Sequence, residues 1–317
     1  MSTPRILILG ANGQLGTELA AALAARYGES QVVTSDHQPV GRHPALVHEV
    51  VDATDAAQLA EVVTRHRITQ IYHLAAALSA TSEQKPLWAW NLNMGSLLNV
   101  LEVAREHRLD RVFWPSSIGA FGPTTPPDLT PQSTIMEPAT VYGISKLAGE
   151  GWCRWYADKH GVDVRSVRFP GILSYKTPPG GGTTDYAIDI FHAALKGVPY
   201  DCFLEEHEEL PMLYIDDAVR GTLELMAAPP ERIRERGSYN LAGVSFTPAQ
   251  LAAAIRRHLP DFQIRYAPDF REAIARSWPN SLDDSRARAD WGWQPEFGLT
   301  EITTTMLAGV QTVLDAQ

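Results

Sequence analysis

The stretch Arg5–Gly28, "RILILGANGQLGTELAAALAARYG", constrains the fold more than any other part of the chain. Its apolar run is too short for a helix and stops at Gly10, after which Leu15, Leu19 and Leu23 repeat at helical spacing. This reads as strand, tight turn, helix. Gly10 permits the turn, Gly13 lets the backbone approach a pyrophosphate, and Gly16 lets the helix pack on the sheet. The helix N-terminus then offers free N–H groups and a positive dipole end to phosphates. A purely structural turn is the alternative, but the placement between a strand and a helix is the context that gives such a motif meaning. Asp36 ends the second strand, "QVVTSD", about twenty residues past Gly16, where an acid accepts hydrogen bonds from a ribose. Its charge repels a 2′-phosphate, and His37 rather than Arg follows, so NAD is favoured over NADP; Arg42 keeps NADP in view. Asp36 as a turn former is the plainer reading. Asp52, in "VDATD", reads equally as an adenine contact or as a loop acid, with Thr54 or Asp55 capping the next helix.

Beyond Asp36, strands and helices alternate. "LVHEVVD", "QIYHLAA", "RVFWPSS" and "DVRSVRFPG" read as strands; "AAQLAEVVTRHR", Pro86–His107 and "VYGISKLAGEGWCRWYADKHG" read as helices, the last closed by Gly161. The pattern predicts a parallel sheet covered on both faces, a doubly wound α/β domain over residues 1–173 to which 212–243 return. Residues 174–211 and 244–317 are assigned to a smaller mixed α/β lobe on the substrate side. There "YAIDIFHAALKG" and "TPAQLAAAIRRHL" predict helices, the second started by Thr247 and Pro248, while the tail around "SWPNSLDDSRARADWGWQP" reads as irregular. The formal net charge of −10 argues against nucleic acid or an acidic membrane as partner, and no apolar run approaches a membrane span. Cys153 and Cys202 form no CxxC, and the ten histidines show no zinc-binding spacing, so neither a disulfide framework nor a metal is expected. The chain enters its first strand with no room for a leader peptide, and a cytoplasmic protein is expected.

Tyr142 and Lys146 stand four apart in "YGISK", on one helix face. An ammonium beside a phenol favours the phenolate, lowering a pKa that starts near ~10, and a positively charged nicotinamide would act in the same direction. Such a tyrosine can take a proton from an alcohol. Alone, the pair is a common surface contact. It gains weight from "WPSSIGAFG", where Ser116 and Ser117 follow the strand "RVFW" at its carboxyl end. Open α/β sheets place their sites there, although serines at a strand end otherwise serve as turn formers.

These segments together resemble the extended short-chain dehydrogenase/reductase superfamily: Gly10/Gly13/Gly16, "HLAA" (73–76), "SSIGAFG" and "YGISK", followed by "LYIDDAVRGTLELM", "YNLAG" and "DDSRARADWGWQP". The resemblance spans nearly the whole chain and implies a Rossmann domain, a nicotinamide cofactor and a Tyr-Lys-Ser/Thr site. Carried over, it implies Tyr142 as the acid/base, Lys146 as the group that binds ribose and tunes the tyrosine, and Ser117 as the catalytic hydroxyl. For NAD it implies the glycine turn with Gln14 and Leu15, the acids Asp36 and Asp52, and the strand end Leu74, Ala75 and Ala76. It adds Asn93 on the third predicted helix, and Phe169 and Ile172 of "RFPGIL". Ser96-Leu97 stands where the family usually has Gly-Thr.

"PSSIGAFGPTTP", "RFPGILSYKTPPGGGTTDYA" and "SWPNSLDDS" resemble one branch, the NAD-dependent L-threonine 3-dehydrogenases of this fold, which usually carry Thr where Ser117 stands. That resemblance implies L-threonine as the small-molecule substrate, oxidised at its β-hydroxyl to 2-amino-3-oxobutanoate. It implies Ser79, Ser117, Tyr142, Thr183, Thr184 and Trp278 around the substrate; otherwise Ser79 turns the chain and Trp278 is core. A nucleotide-sugar epimerase or dehydratase would share the fold and the Tyr-Lys pair, but "CFLEEHEELPM" is an acidic host for a diphosphate. A non-catalytic NAD-sensing protein would have no use for the serine, tyrosine and lysine. Helices 86–107 and 142–160 carry surplus apolar residues, Trp152 and Trp155 among them, and predict either a homodimer, which the resemblance also implies, or cover by the second lobe. In "PPGGGTTDYA" (178–187) the prolines stiffen, Gly180, Gly181 and Gly182 form a hinge, the threonines supply hydroxyls, and Asp185 N-caps the helix that follows.

Overall fold

The computed structural model describes residues 3–176 and 180–316; the expected stiffeners Pro178 and Pro179 lie outside them. The first half runs β1 (Ile6–Leu9), α1 (Gln14–Tyr27), β2 (Val32–Asp36), β3 (Val47–Val50), α2 (Ala56–His66), β4 (Gln70–His73), α3 (Ser79–Gln84), α4 (Pro86–His107), β5 (Arg111–Phe113), β6 (Ser116–Ser117), α5 (Val141–His160) and β7 (Val164–Arg165). Six of its strands form one parallel sheet in the order β3-β2-β1-β4-β5-β7. Ile6 and Ile8 pack to one side of it and Leu7 and Leu9 to the other, so burial of both faces accounts for the unbroken apolar run of β1. The direction of winding switches between β1 and β4, which opens a crevice at their carboxyl ends. Local signals end the helices. Arg67 and Arg108 close α2 and α4 in the left-handed region, at φ 51° and 52°, and Gly161 closes α5 at φ 69°. Asp55 caps α2 by accepting from the N–H groups of Ala57 and Gln58, and Thr140 caps α5 by accepting from Gly143.

The second half continues with β8 (Val167–Phe169), β9 (Gly171–Leu173), α6 (Tyr186–Leu195), β10 (Tyr200–Cys202), β11 (Leu210–Tyr214), α7 (Ile215–Ala227), β12 (Tyr239–Asn240), β13 (Val244–Phe246), α8 (Pro248–Arg256), β14 (Ile264–Tyr266), α9 (Phe270–Ala275), α10 (Ser285–Trp291) and α11 (Leu299–Asp315). It contributes small sheets in the orders β12-β8-β6, β13-β11-β9 and β10-β14. The expected strands "RVFWPSS" and "DVRSVRFPG" are each interrupted. Pro115 separates the pieces of the first, and Pro170, which has no N–H to donate, separates β8 from β9. The chain thereby bends from the large sheet into the small one that carries Ser117.

The tail is not irregular. It holds α9, α10 and the 17-residue α11, whose Ile302, Met306 and Val310 enter the second core beside Ile190 and Phe191 of α6 and Leu251 of α8. Trp291 and Trp293 instead return to the first domain, packing with Leu19 of α1, Leu225 of α7 and Ile6 and Ile8 of β1. The expected cover over the aromatic residues of α4 and α5 is absent: Leu87, Trp90, Ile144, Trp152 and Trp155 are between 38% and 78% exposed, while Trp88 stands at the wall of a cavity. Among the described residues no helix is long and apolar enough to cross a membrane.

Candidate active site

Two adjoining cavities of about 820 Å³ and 420 Å³ open at the carboxyl ends of β1, β4, β6 and β8, sharing Gly10, Asn12, Gly13, Leu74, Ala76 and Gly180 in their walls. The glycine turn is sterically fixed at both ends. Gly10 has φ +80°, and a Cβ there would lie 2.7 Å from the backbone nitrogen of Ala75; at Gly16 it would lie 2.4 Å from the carbonyl oxygen of Gly10. A Cβ at Gly13 would meet nothing closer than 3.4 Å, so what its absence leaves open is the cavity itself. No acid stands in the first turn of α1, which leaves the positive end of that helix free for an anion. The turn therefore fits a pyrophosphate.

Asp36 is buried at the wall of the larger cavity, where Oδ2 accepts from the Asn12 N–H at 3.2 Å and Oδ1 from the Gln38 N–H at 3.2 Å. His37 Nδ1 lies 2.9 Å from its Oδ1. Asp52 lines the same cavity and also closes its own turn. It accepts from the Thr54 hydroxyl at 2.7 Å and the Thr54 N–H at 2.8 Å, and these bonds hold its carboxyl below the ordinary range. Asp55, not Thr54, is the cap of α2. Gln14, Leu15, Phe169 and Ile172 line the smaller cavity, Ala75 the larger, and Leu74 and Ala76 both. Asn93 lines neither. Its Oδ1 accepts from the Ala77 N–H at 2.7 Å and its Nδ2 donates to the Ala77 carbonyl at 3.3 Å and to Ser145 Oγ at 3.2 Å. Asn93 thus braces, from behind, the strand end that carries Ala75 and Ala76.

Ser117, Tyr142 and Lys146 meet in the smaller cavity. Ser117 Oγ accepts from the Gly119 N–H at 3.1 Å, which fixes the hydroxyl at the strand end. A Cβ at Gly119 would lie 3.0 Å from Tyr142 Cδ1, so this glycine lets the ring seat flush. Lys146 is buried, donates to the Pro115 carbonyl at 2.6 Å and lies 4.6 Å above the Trp114 ring; burial pushes its ammonium down to about 8. In the chain alone Tyr142 departs from expectation. Burial raises its phenol above the ordinary value, opposed by a hydrogen bond with Ser117. Lys146 does not offset the burial, because its ammonium sits 5.5 Å from the ring centroid and donates to Pro115.

The remaining expected residues come from far apart. Ser79 Oγ lies 3.1 Å from Thr183 Oγ1 and accepts from the Thr183 N–H at 3.3 Å, so the first turn of α3 is tied to the segment before α6. Thr184 and Trp278 line the same cavity, and the buried indole nitrogen of Trp278 has no partner among the described residues. Asp185 precedes α6 but does not cap it. Its Oδ2 turns back to accept from the N–H groups of Gly181 at 2.9 Å and Gly182 at 2.7 Å, so the carboxylate pins the glycine segment instead. Sequence reasoning passed over Asn12, whose backbone orients Asp36 and whose Nδ2 holds the Val40 carbonyl at 2.9 Å, and Trp114 beneath Lys146. Both had a signal, since each adjoins a motif already singled out.

Residues 6–242 match the NAD dependent epimerase/dehydratase family. The mitochondrial L-threonine 3-dehydrogenase of pig (Sus scrofa) is 47% identical over 307 residues, covering 96% of this chain and 82% of that protein. The holo form of a GalE-like L-threonine dehydrogenase from Cupriavidus necator superposes with a TM-score of 0.96 at 68% identity, over 97% of this chain and 100% of that one. A monomeric L-threonine 3-dehydrogenase from a metagenome superposes with a TM-score of 0.94 at 40% identity, over 97% and 99% of the two chains. With the matched family covering most of the chain and the glycine turn fitted to its cofactor, this protein belongs to the NAD dependent epimerase/dehydratase family.

Proposed function

We propose that the chain is an L-threonine 3-dehydrogenase, oxidising the β-hydroxyl of L-threonine to 2-amino-3-oxobutanoate with NAD, a step in threonine breakdown toward glycine. One observation carries this reading. A cavity of about 420 Å³ gathers Ser117, Tyr142 and Lys146 with Ser79, Thr183 and the indole N–H of Trp278, which has no partner among the described residues. That is a small space with several convergent polar groups, the requirement of a small zwitterion with a hydroxyl. The two similar L-threonine dehydrogenases of highest identity reported above support it. When bound, NAD supplies the hydride acceptor and a positive charge that favours the phenolate. Ser117 and Tyr142 hold the β-hydroxyl, Tyr142 takes its proton, and Lys146 steadies the phenolate. The segment Gly180–Asp185 closes over the substrate and keeps water out.

The exposed aromatic face of α4 and α5 supports a homodimer, and two buried free thiols, Cys153 and Cys202, suit a reducing cytoplasm. Offering NAD with L-threonine, L-allo-threonine, L-serine and a UDP-hexose tests the activity. NADH formation with L-threonine is expected; epimer exchange on the sugar with no turnover of L-threonine overturns the reading. Light scattering that gives a monomer, as in the metagenomic relative, removes the homodimer alone.

A further inference from the structure

Residues 115 and 116 dock on successive turns of α5. Pro115 accepts from Lys146 at 2.6 Å and Ser116 Oγ donates to Glu150 Oε1 at 2.6 Å, while Ser117 lines the cavity with Tyr142. Tyr142, Lys146 and Glu150 stand at i, i+4 and i+8, on one face of the helix. Glu150 is 2% exposed and faces Arg168 of β8, which donates from Nε at 2.9 Å and from Nη2 at 2.8 Å. Arg168 in turn reaches the Gln132 carbonyl at 3.0 Å and Asn240 Oδ1 at 2.9 Å, so its charge is fully partnered. A buried ion pair is seldom a net gain in stability over well-packed apolar residues, because both ions lose their hydration. Its place directly behind the reacting face calls for another account.

We propose that Glu150 is a positioning residue for the reaction: through Ser116 it fixes the strand end that presents Ser117. This rests on the assignment of Ser117, Tyr142 and Lys146 as the reacting set.

Ser116→Ala removes the tether. It is expected to lower kcat about fivefold, the worth of one hydrogen bond, while NAD affinity, followed by tryptophan fluorescence, keeps its wild-type value. Wild-type kcat in Ser116→Ala, or a loss of NAD affinity as large as the loss of kcat, overturns the tether. A wild-type protein that does not turn over L-threonine fails that assignment, whereas an active wild type with an unimpaired Ser116→Ala fails this one.

Discussion

Gly171 opens β9, between the ladder partner Met212 and the site residue Thr184, and its replacement by alanine tests the substrate side of the site without touching a polar group. The new Cβ would lie 2.5 Å from Met212 Sδ and 2.7 Å and 2.8 Å from Thr184 Cγ2 and Cβ. Comfortable carbon contacts begin near ~3.5 Å, so roughly 1 Å must be recovered. The strand is held by its parallel pairing to β11, and Met212 is fully buried, so Thr184, at the cavity wall before α6, is the group that moves. Overpacking of this kind costs about 1–3 kcal/mol. If most of that falls on the substrate complex, KM for L-threonine rises roughly five- to 150-fold. Thr184 does not line the larger cavity, where Asp36 and Asp52 stand, so the loss of NAD affinity should be the smaller of the two effects. Initial rates with both substrates varied, NAD binding by fluorescence, and thermal unfolding check these points together. An unchanged KM for L-threonine with an unchanged Tm would refute the reasoning, because the alanine would then have been absorbed without disturbing Thr184. An equal rise in KM for NAD would refute it from the other side.

Tyr142→Phe should lower kcat by about 10²- to 10⁴-fold, the range for a lost general acid/base, while NAD binding measured by fluorescence stays intact; near wild-type turnover would remove the tyrosine from its role. Asp36→Ala should weaken NAD about tenfold and narrow the preference over NADP, since the charge that repels a 2′-phosphate is gone; an unchanged NAD/NADP ratio of kcat/KM would count against it. Replacing Gly180, Gly181 and Gly182 with alanine places a side chain at Gly181, where φ is +89°, at a cost of about 1–2 kcal/mol; kcat and KM should change together, and unaltered kinetics would return the segment to linker status.

What was legible in the sequence depended on short range. The glycine turn, the helix over Pro86–His107 and the Tyr142–Lys146 pair each state their geometry within one or two turns of chain. Ser117 was legible because a strand end is itself a local signal. The Ser79–Thr183 bond, whose partners stand 104 positions apart, and the Ser116–Glu150 bond depend on how α3, α5 and β6 meet, which no local period encodes. Asp185 has the residue type and position of a helix cap. The left-handed turn at Gly181 brings two nearer N–H groups to it, and local competition decides the outcome. In the tail, Ile302, Met306 and Val310 already repeat at helical spacing, but the tryptophans and prolines before them obscured it. Tyr142 shows a different limit: the expectation counted a neighbouring charge and omitted desolvation, which depends on the finished packing.

The return of Trp291 and Trp293 to the first domain bears on how the protein is made. The six-stranded sheet has all its strands once residue 165 has left the ribosome. One of its faces, with Ile6, Ile8, Tyr72 and Phe113, gains part of its cover from α1, but Leu225 of α7 and then Trp291 and Trp293 complete it. From residue 165 to residue 293 the nascent chain therefore carries a partly uncovered apolar sheet, the kind of surface that chaperones engage and that aggregates when they do not. The earliest-made strand waits for the last-made tryptophan, so a release point upstream of residue 293 would leave a nucleotide fold without its roof.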